Sequence, residues 1–181
     1  MSKFKATGFK AGTARRLGMF AAVTLSLSTT APWAAPKDGD KFDNWAIKCE
    51  KADPQSKDKG GPEVCYVFQN VVTKEGNKRV LNIAIGYAPK IPEPVALITL
   101  PLGIALPPGA GLTIGDDKPI RFPIERCEPG GCRAGLKLEK AILDKLTDTA
   151  KVLLDFQDGA HRPVQIPLSM KGFSEALKSL K

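Results

Sequence analysis

Two cysteines in the stretch Pro119–Leu138, PIRFPIERCEPGGCRAGLKL, constrain this chain more than any other feature. Ile120, Phe122 and Ile124 alternate with Arg121, Pro123 and Glu125; further on, Ala134, Leu136 and Leu138 alternate with Arg133, Gly135 and Lys137. Such alternation marks strands with one buried face. Between the runs lies Cys127-Glu-Pro-Gly-Gly-Cys132. Pro129 presets φ for the second position of a β-turn, and Gly130 is expected to supply the positive φ that a type II turn requires at the third. The chain reverses there and sets the cysteines opposite each other. Cross-strand Cα spacings of roughly 4.5–5.5 Å fall inside the disulfide range of about 4.4–6.8 Å. A bridged hairpin follows. It constrains architecture and compartment but prescribes no reaction.

The amino terminus reads as a leader. Lys3, Lys5, Lys10, Arg15 and Arg16 precede the apolar run Leu17–Leu27, and small residues follow up to Ala35. This is the three-part pattern of a secretory signal peptide over residues 1–35, with cleavage between Ala31 and Ala35. The apolar run is about half of the ~20 residues needed to cross a bilayer, so no transmembrane span is expected after cleavage. Arg15-Arg16 faintly resembles a twin-arginine signal, which leaves the export route open. Periplasm or the extracellular space is the expected location.

Removing the leader changes the charge argument. Five of the 27 Lys and Arg, and none of the 19 acidic residues, precede residue 36, which leaves 22 bases against 19 acids, or +3 rather than +8. The lysines of the mature part are interspersed with acids, so no basic stripe for nucleic acid is formed. Residues 36–181 are enough for one domain burying roughly 68–70% of its unfolded surface. Four cysteines in an exported chain point to two disulfides. The pairs Cys49–Cys65 and Cys127–Cys132 are expected, worth about 3 and 2 kcal/mol in the loop-entropy account. Zinc is the competing reading, but Cys49 and Cys65 stand too far apart for a usual ligand pair. A C-x-x-C redox pair is absent.

Along the mature chain, Trp45, Ile47 and Cys49 indicate a first strand near Phe42–Cys49, and Lys51–Gly61 reads as an exposed loop. Val64–Val72 is apolar on both faces, the pattern of a central strand. Leu81, Ile83 and Ile85 mark a third strand, and Val95–Leu100 and Leu112–Ile114 two more. Ile142, Leu143 and Leu146 follow Leu138 at helical spacing, which predicts one short helix over Glu139–Leu146. Val152–Phe156 and Val164–Leu168 form a hairpin around Asp158-Gly159. Ser169–Lys181 reads as a helix capped by Ser169, with Phe173, Ala176, Leu177 and Leu180 on one stripe. Frequent strands separated by turns define a mainly β, single-domain antiparallel sandwich or barrel with two helices.

No catalytic constellation emerges, and no cofactor or metal is expected. His161 is the only histidine, sits at a hairpin tip and has no G-x-S-x-G partner. Asp116-Asp117 lacks the D-x-D-x-D-G frame of a calcium loop and reads as turn chemistry. Asp155 with Asp158, or Glu125 with Glu128, could serve an acid/base mechanism only if folding brought them together. Trp45, in phase with Ile47, reads as core. Arg126 and Arg133 flank the bridge and form a candidate cationic contact patch.

Taken in order, the Trp45 strand ending in Cys49, then Cys65, TLPLGIALPPGAGLTI (Thr99–Ile114), CEPGGCRAGLKL and IPLSMKGFSEAL (Ile166–Leu177) resemble the invasion-associated locus B (IalB) family. The likeness spans nearly the whole mature chain, and the four cysteines match the family pattern position by position; the lysine-rich Lys51–Gly61 loop does not. The resemblance implies an exported protein of a Gram-negative bacterium with a shared disulfide framework. It implies no catalytic residues. A non-enzymatic binding module for a protein, glycan or envelope partner is the expected function, contributing to host-cell invasion or envelope integrity. The alternative is a small periplasmic hydrolase built from assembled carboxylates.

Overall fold

The computed structural model describes residues 36–51, 63–73, 79–88 and 91–181. The expected leader, the Lys51–Gly61 loop beyond Lys51, residues 74–78 and residues 89–90 lie outside the described residues. Within them the order is β1 (Lys41–Phe42), β2 (Trp45–Lys51), β3 (Glu63–Val72), β4 (Arg79–Gly86), β5 (Val95–Leu100), β6 (Ala110–Ile114), β7 (Ile120–Phe122), β8 (Ile124–Glu128), β9 (Gly131–Lys137), α1 (Lys140–Asp148), β10 (Val152–Gln157), β11 (Pro163–Leu168) and α2 (Phe173–Lys178).

The strands form two antiparallel sheets. One has seven strands in the order β1-β2-β3-β4-β5-β9-β8, the other four in the order β11-β10-β6-β7. Period-two alternation sends Ile47, Val67, Ile83, Ile85 and Ile98 of the large sheet into the same core as Leu112, Leu154 and Ile166 of the small one. Each sheet keeps two free edges, so the architecture is a sandwich and not a closed barrel. Helix α1 connects β9 of the large sheet to β10 of the small one and buries Leu146, as its spacing predicts.

Trp45 is a core residue. Its ring lies 4.9 Å from that of Phe173, and its indole Nε1 donates to the Ser169 carbonyl at 2.9 Å. Gln69 is the buried polar side chain beside it. Its amide donates to the Ser169 carbonyl at 2.9 Å and accepts from the Ser169 N–H at 3.1 Å. A buried amide satisfied in this way clamps the carboxyl-terminal segment onto β2 and β3 rather than destabilising the core.

Four local expectations are corrected. The strand expected at Phe42–Cys49 is broken at Asp43-Asn44, where Phe42 pairs back with Trp45 and Asp43 takes a φ of 51°. The alternating run Ile120–Glu125 is not one strand: β7 pairs with β6 in the small sheet, while β8 pairs with β9 in the large one. Pro123 sits at the crossing, because a residue without an N–H cannot extend the ladder. At the hairpin tip the positive φ belongs to Gly131 (133°), not Gly130, so the turn is not type II. Proline second and glycine fourth is instead the preference of a type I turn, and a Cβ at position 131 would strike the Leu100 carbonyl. Finally, Ser169 does not cap a helix. α2 begins after Gly172, whose φ of 82° and position against the Phe42 carbonyl leave no room for a side chain.

Candidate functional site: the outer face of the large sheet

A strand presents alternate residues to opposite faces, and among the described residues no second layer covers the outer face of the seven-stranded sheet. Register places its side chains in rows running across the strands. The first row is Lys48, Tyr66, Gly86, Val95 and Lys137. Ala46, Phe68, Ala84, Leu97 and Gly135 form the second. The third is Asn70, Asn82, Thr99, Arg133 and Arg126.

These rows shape a furrow. Strand β4 contributes only Ala84 and Gly86 to the floor, while Tyr66 and Phe68 of β3 rise on one side and Val95 and Leu97 of β5 on the other. The result is an open trough of about 930 Å³, the size of a small-molecule or short-oligomer site. Leu97 is 55% exposed on its wall. Tyr66 and Phe68 meet edge to face with ring centroids 6.5 Å apart. Burial pushes the Tyr66 phenol up to about 12, and the hydrogen-bonded Glu50 carboxylate adds to the effect, so Tyr66 is a neutral hydroxyl at physiological pH.

The end of the trough at the third row is polar. Asn82 Nδ2 donates to Asn70 Oδ1 at 3.0 Å. Arg126 and Arg133 are direct cross-strand neighbours. The structure adds that Glu128 lies between them, accepting Arg126 Nε at 2.9 Å on one oxygen and facing Arg133 Nε at 3.3 Å with the other. Arg79, at the start of β4, also lines the trough and is exposed. Among the described residues it has no ion-pair partner.

The remaining candidate residues lie elsewhere. Cys49 is joined to Cys65, and Cys127 to Cys132, so no cysteine is free to ligate a metal. Glu63 lies beside the first pair, whose sulfurs are committed to each other. Asp155, on the outer face of the small sheet, pairs with Arg121. Asp158, beyond the end of β10, pairs with Arg162 Nη2 at 2.7 Å, and that contact together with backbone N–H groups holds its carboxyl below the usual range. The two carboxylates thus face separate arginines. Glu125 lies over Gly135 and Glu128 between two arginines. Asp116 and Asp117 pair with Lys151 and Lys145, each at 2.6 Å. His161 is exposed at its hairpin tip with a φ of 60° and Nδ1 3.3 Å from Gln157 Oε1.

The sheet edges are blunted. β1 has two residues, β7 has three and runs into Pro123, β8 carries charges and a register shift between Ile124 and Arg126, and β11 holds Pro163 and Pro167. Short, bulged, charged or proline-bearing edges resist pairing with another strand.

Together these features define a disulfide-stapled antiparallel sandwich with one open sheet face. The family model described as "Invasion associated locus B (IalB) protein" matches residues 45–181, and the chain belongs to that family. The crystal structure of invasion associated protein B from Bartonella henselae is similar, with a TM-score of 0.65 at 22% identity, covering 78% of this chain and 92% of that one. At that identity the likeness is one of fold. No curated protein matches the chain.

Proposed function

We propose that this chain is an exported, non-enzymatic binding module of the cell envelope, and that the outer face of the seven-stranded sheet is its contact surface. The open, apolar-floored trough over β3, β4 and β5 carries this reading. Soluble proteins seldom leave a contiguous apolar face uncovered unless it meets something. Two disulfides fit an oxidising compartment, and among the described residues no helix is long and apolar enough to cross a membrane. The cationic pair Arg126 and Arg133 stands at the rim as part of the same surface. Of the carboxylates that a hydrolase could use, Asp155 and Asp158 are engaged with separate arginines, and Glu128 with Arg126 and Arg133.

The test uses Ala84→Trp, which fills the furrow from its floor without touching the core. Native protein immobilised through its carboxyl terminus should retain a component of envelope extracts or host membranes that the variant does not. Retention of nothing by either protein, or of the same component by both, would overturn the assignment of this face.

A further inference from the structure

From the chemistry of the trough we infer the class of its ligand: an acidic oligosaccharide, lying along β4 with its anionic group at the Asn82–Arg133 end. The inference rests on the contact surface proposed above and goes on to say what binds there.

Three observations carry it. The first is the layout of the floor. Ala84 and Gly86 make it shallow, with aromatic rings on one side and Val95 and Leu97 on the other. A pyranose ring has an apolar face of C–H bonds and a polar hydroxyl rim, so it suits a shallow shelf flanked by aromatic side chains. A peptide gains its affinity from deep side-chain pockets or from an added strand; this floor is shallow and the edges of this sheet are blunted.

The second is the kind of polar group along the third row. Asn70 and Asn82 offer planar amides, Thr99 a hydroxyl, and Arg133 a guanidinium fork. Amides and hydroxyls both donate and accept, as sugar hydroxyls require. The Asn82-to-Asn70 bond at 3.0 Å uses one donor and one acceptor of the pair, leaving further capacity on both amides.

The third is charge complementarity. Arg79 and Arg133 line this end, and Glu128 lies between Arg133 and the neighbouring Arg126, paired with both. Among the described residues that line this end, Arg79 and Arg133 stand against Glu128, which leaves one positive charge in excess. A guanidinium binds a carboxylate through two parallel hydrogen bonds, which favours a sugar acid over a neutral sugar. At the other end of the furrow, Lys48 is paired with Asp38 at 3.3 Å, and the lining residues Glu50 and Lys51 offset each other in charge.

The probes are tetragalacturonate, its fully methyl-esterified form, and a hyaluronan tetrasaccharide, titrated at millimolar concentration into the isotopically labelled protein without its leader. Both acids should shift the backbone amide signals of β3, β4 and β5, and those of Thr99 and Arg133 in particular. Methyl esterification should weaken binding by about tenfold or more, the scale of one charge-assisted hydrogen bond. Arg79→Ala should weaken the acids by a similar factor while leaving the ester unchanged, and Ala84→Trp should abolish all binding. Neither acid shifting these signals, or ester and acid binding equally, overturns the inference. Binding of an acidic amphipathic peptide in the same furrow, with no response to the saccharides, would overturn the ligand class yet leave the contact face standing. Failure of that face itself is read separately, from the capture comparison with Ala84→Trp.

Discussion

The two faces of the seven-stranded sheet are built from the same strands and do opposite work. On β4, Leu81, Ile83 and Ile85 point inward and are buried, while Asn82, Ala84 and Gly86 point outward and line the trough. On β3, Val67 and Gln69 face the core and Tyr66 and Phe68 face the trough. The inner face is packed to exclude water. The outer one is apolar in its middle, small at its floor, and charged at its rim. A one-residue step along a strand therefore separates a change expected to alter stability from one expected to alter the proposed contact.

The largest effect is expected on the inner face. Ile85 is 1% exposed, and Ile85→Ala should cost about 2–5 kcal/mol through lost burial and the cavity left behind. Urea unfolding followed by tryptophan fluorescence measures it, with the midpoint falling and the slope unchanged.

The bridges sharpen the comparison, because both lie in the large sheet but close different loops. Cys49 and Cys65 are 16 positions apart and join β2 to β3, whereas Cys127 and Cys132 are five apart at the tip of an edge hairpin. Replacing both cysteines of the first pair by alanine should cost about 3 kcal/mol, and both of the second about 2 kcal/mol, since a shorter loop loses less entropy when closed. Thermal unfolding of the two double variants should rank them in that order.

A smaller effect concerns pH. Tyr66 has its phenol raised to about 12, against about 10 for a free phenol. Its folded form holds the proton more tightly than the unfolded chain, so its contribution to stability is complete below pH ~10 and is lost as pH rises toward ~12. In a Tyr87→Phe background Tyr66 is the sole tyrosine. Ultraviolet titration there should show phenolate appearing near pH 12 in the folded protein and near 10 in denaturant.

Much of the inner face was legible in the sequence. Alternation located β5 at its observed bounds, placed Leu81, Ile83 and Ile85 in the core, and set Cys49 across from Cys65. It could not say where a strand changes sheets. Ile120, Phe122 and Ile124 keep phase through Pro123, yet they divide between two sheets because phase along a chain carries no information about which neighbour supplies the ladder. The outer face was hidden for a related reason. The doubly apolar run Val64–Val72 indicates two faces that avoid water, and a central strand was the natural reading. β3 is indeed interior to its sheet, but its outer face is a furrow wall instead of a second core. That Arg126 and Arg133 flank the bridge was legible from spacing; the Glu128 ion pairs between them were not, since side-chain ion pairs across a bulged hairpin depend on a register that spacing alone does not give.

Ala84 and Ile85 are adjacent in the chain and point to opposite faces, so comparing Ala84→Trp with Ile85→Ala, each assayed for unfolding midpoint and for retention of the envelope component, tests the division of labour most directly. Ala84→Trp should hold the midpoint to within about 0.5 kcal/mol of native and lose retention, while Ile85→Ala should lower the midpoint and keep retention in its folded fraction. Retention that survives Ala84→Trp, or that falls only as stability falls in both variants, would contradict the account.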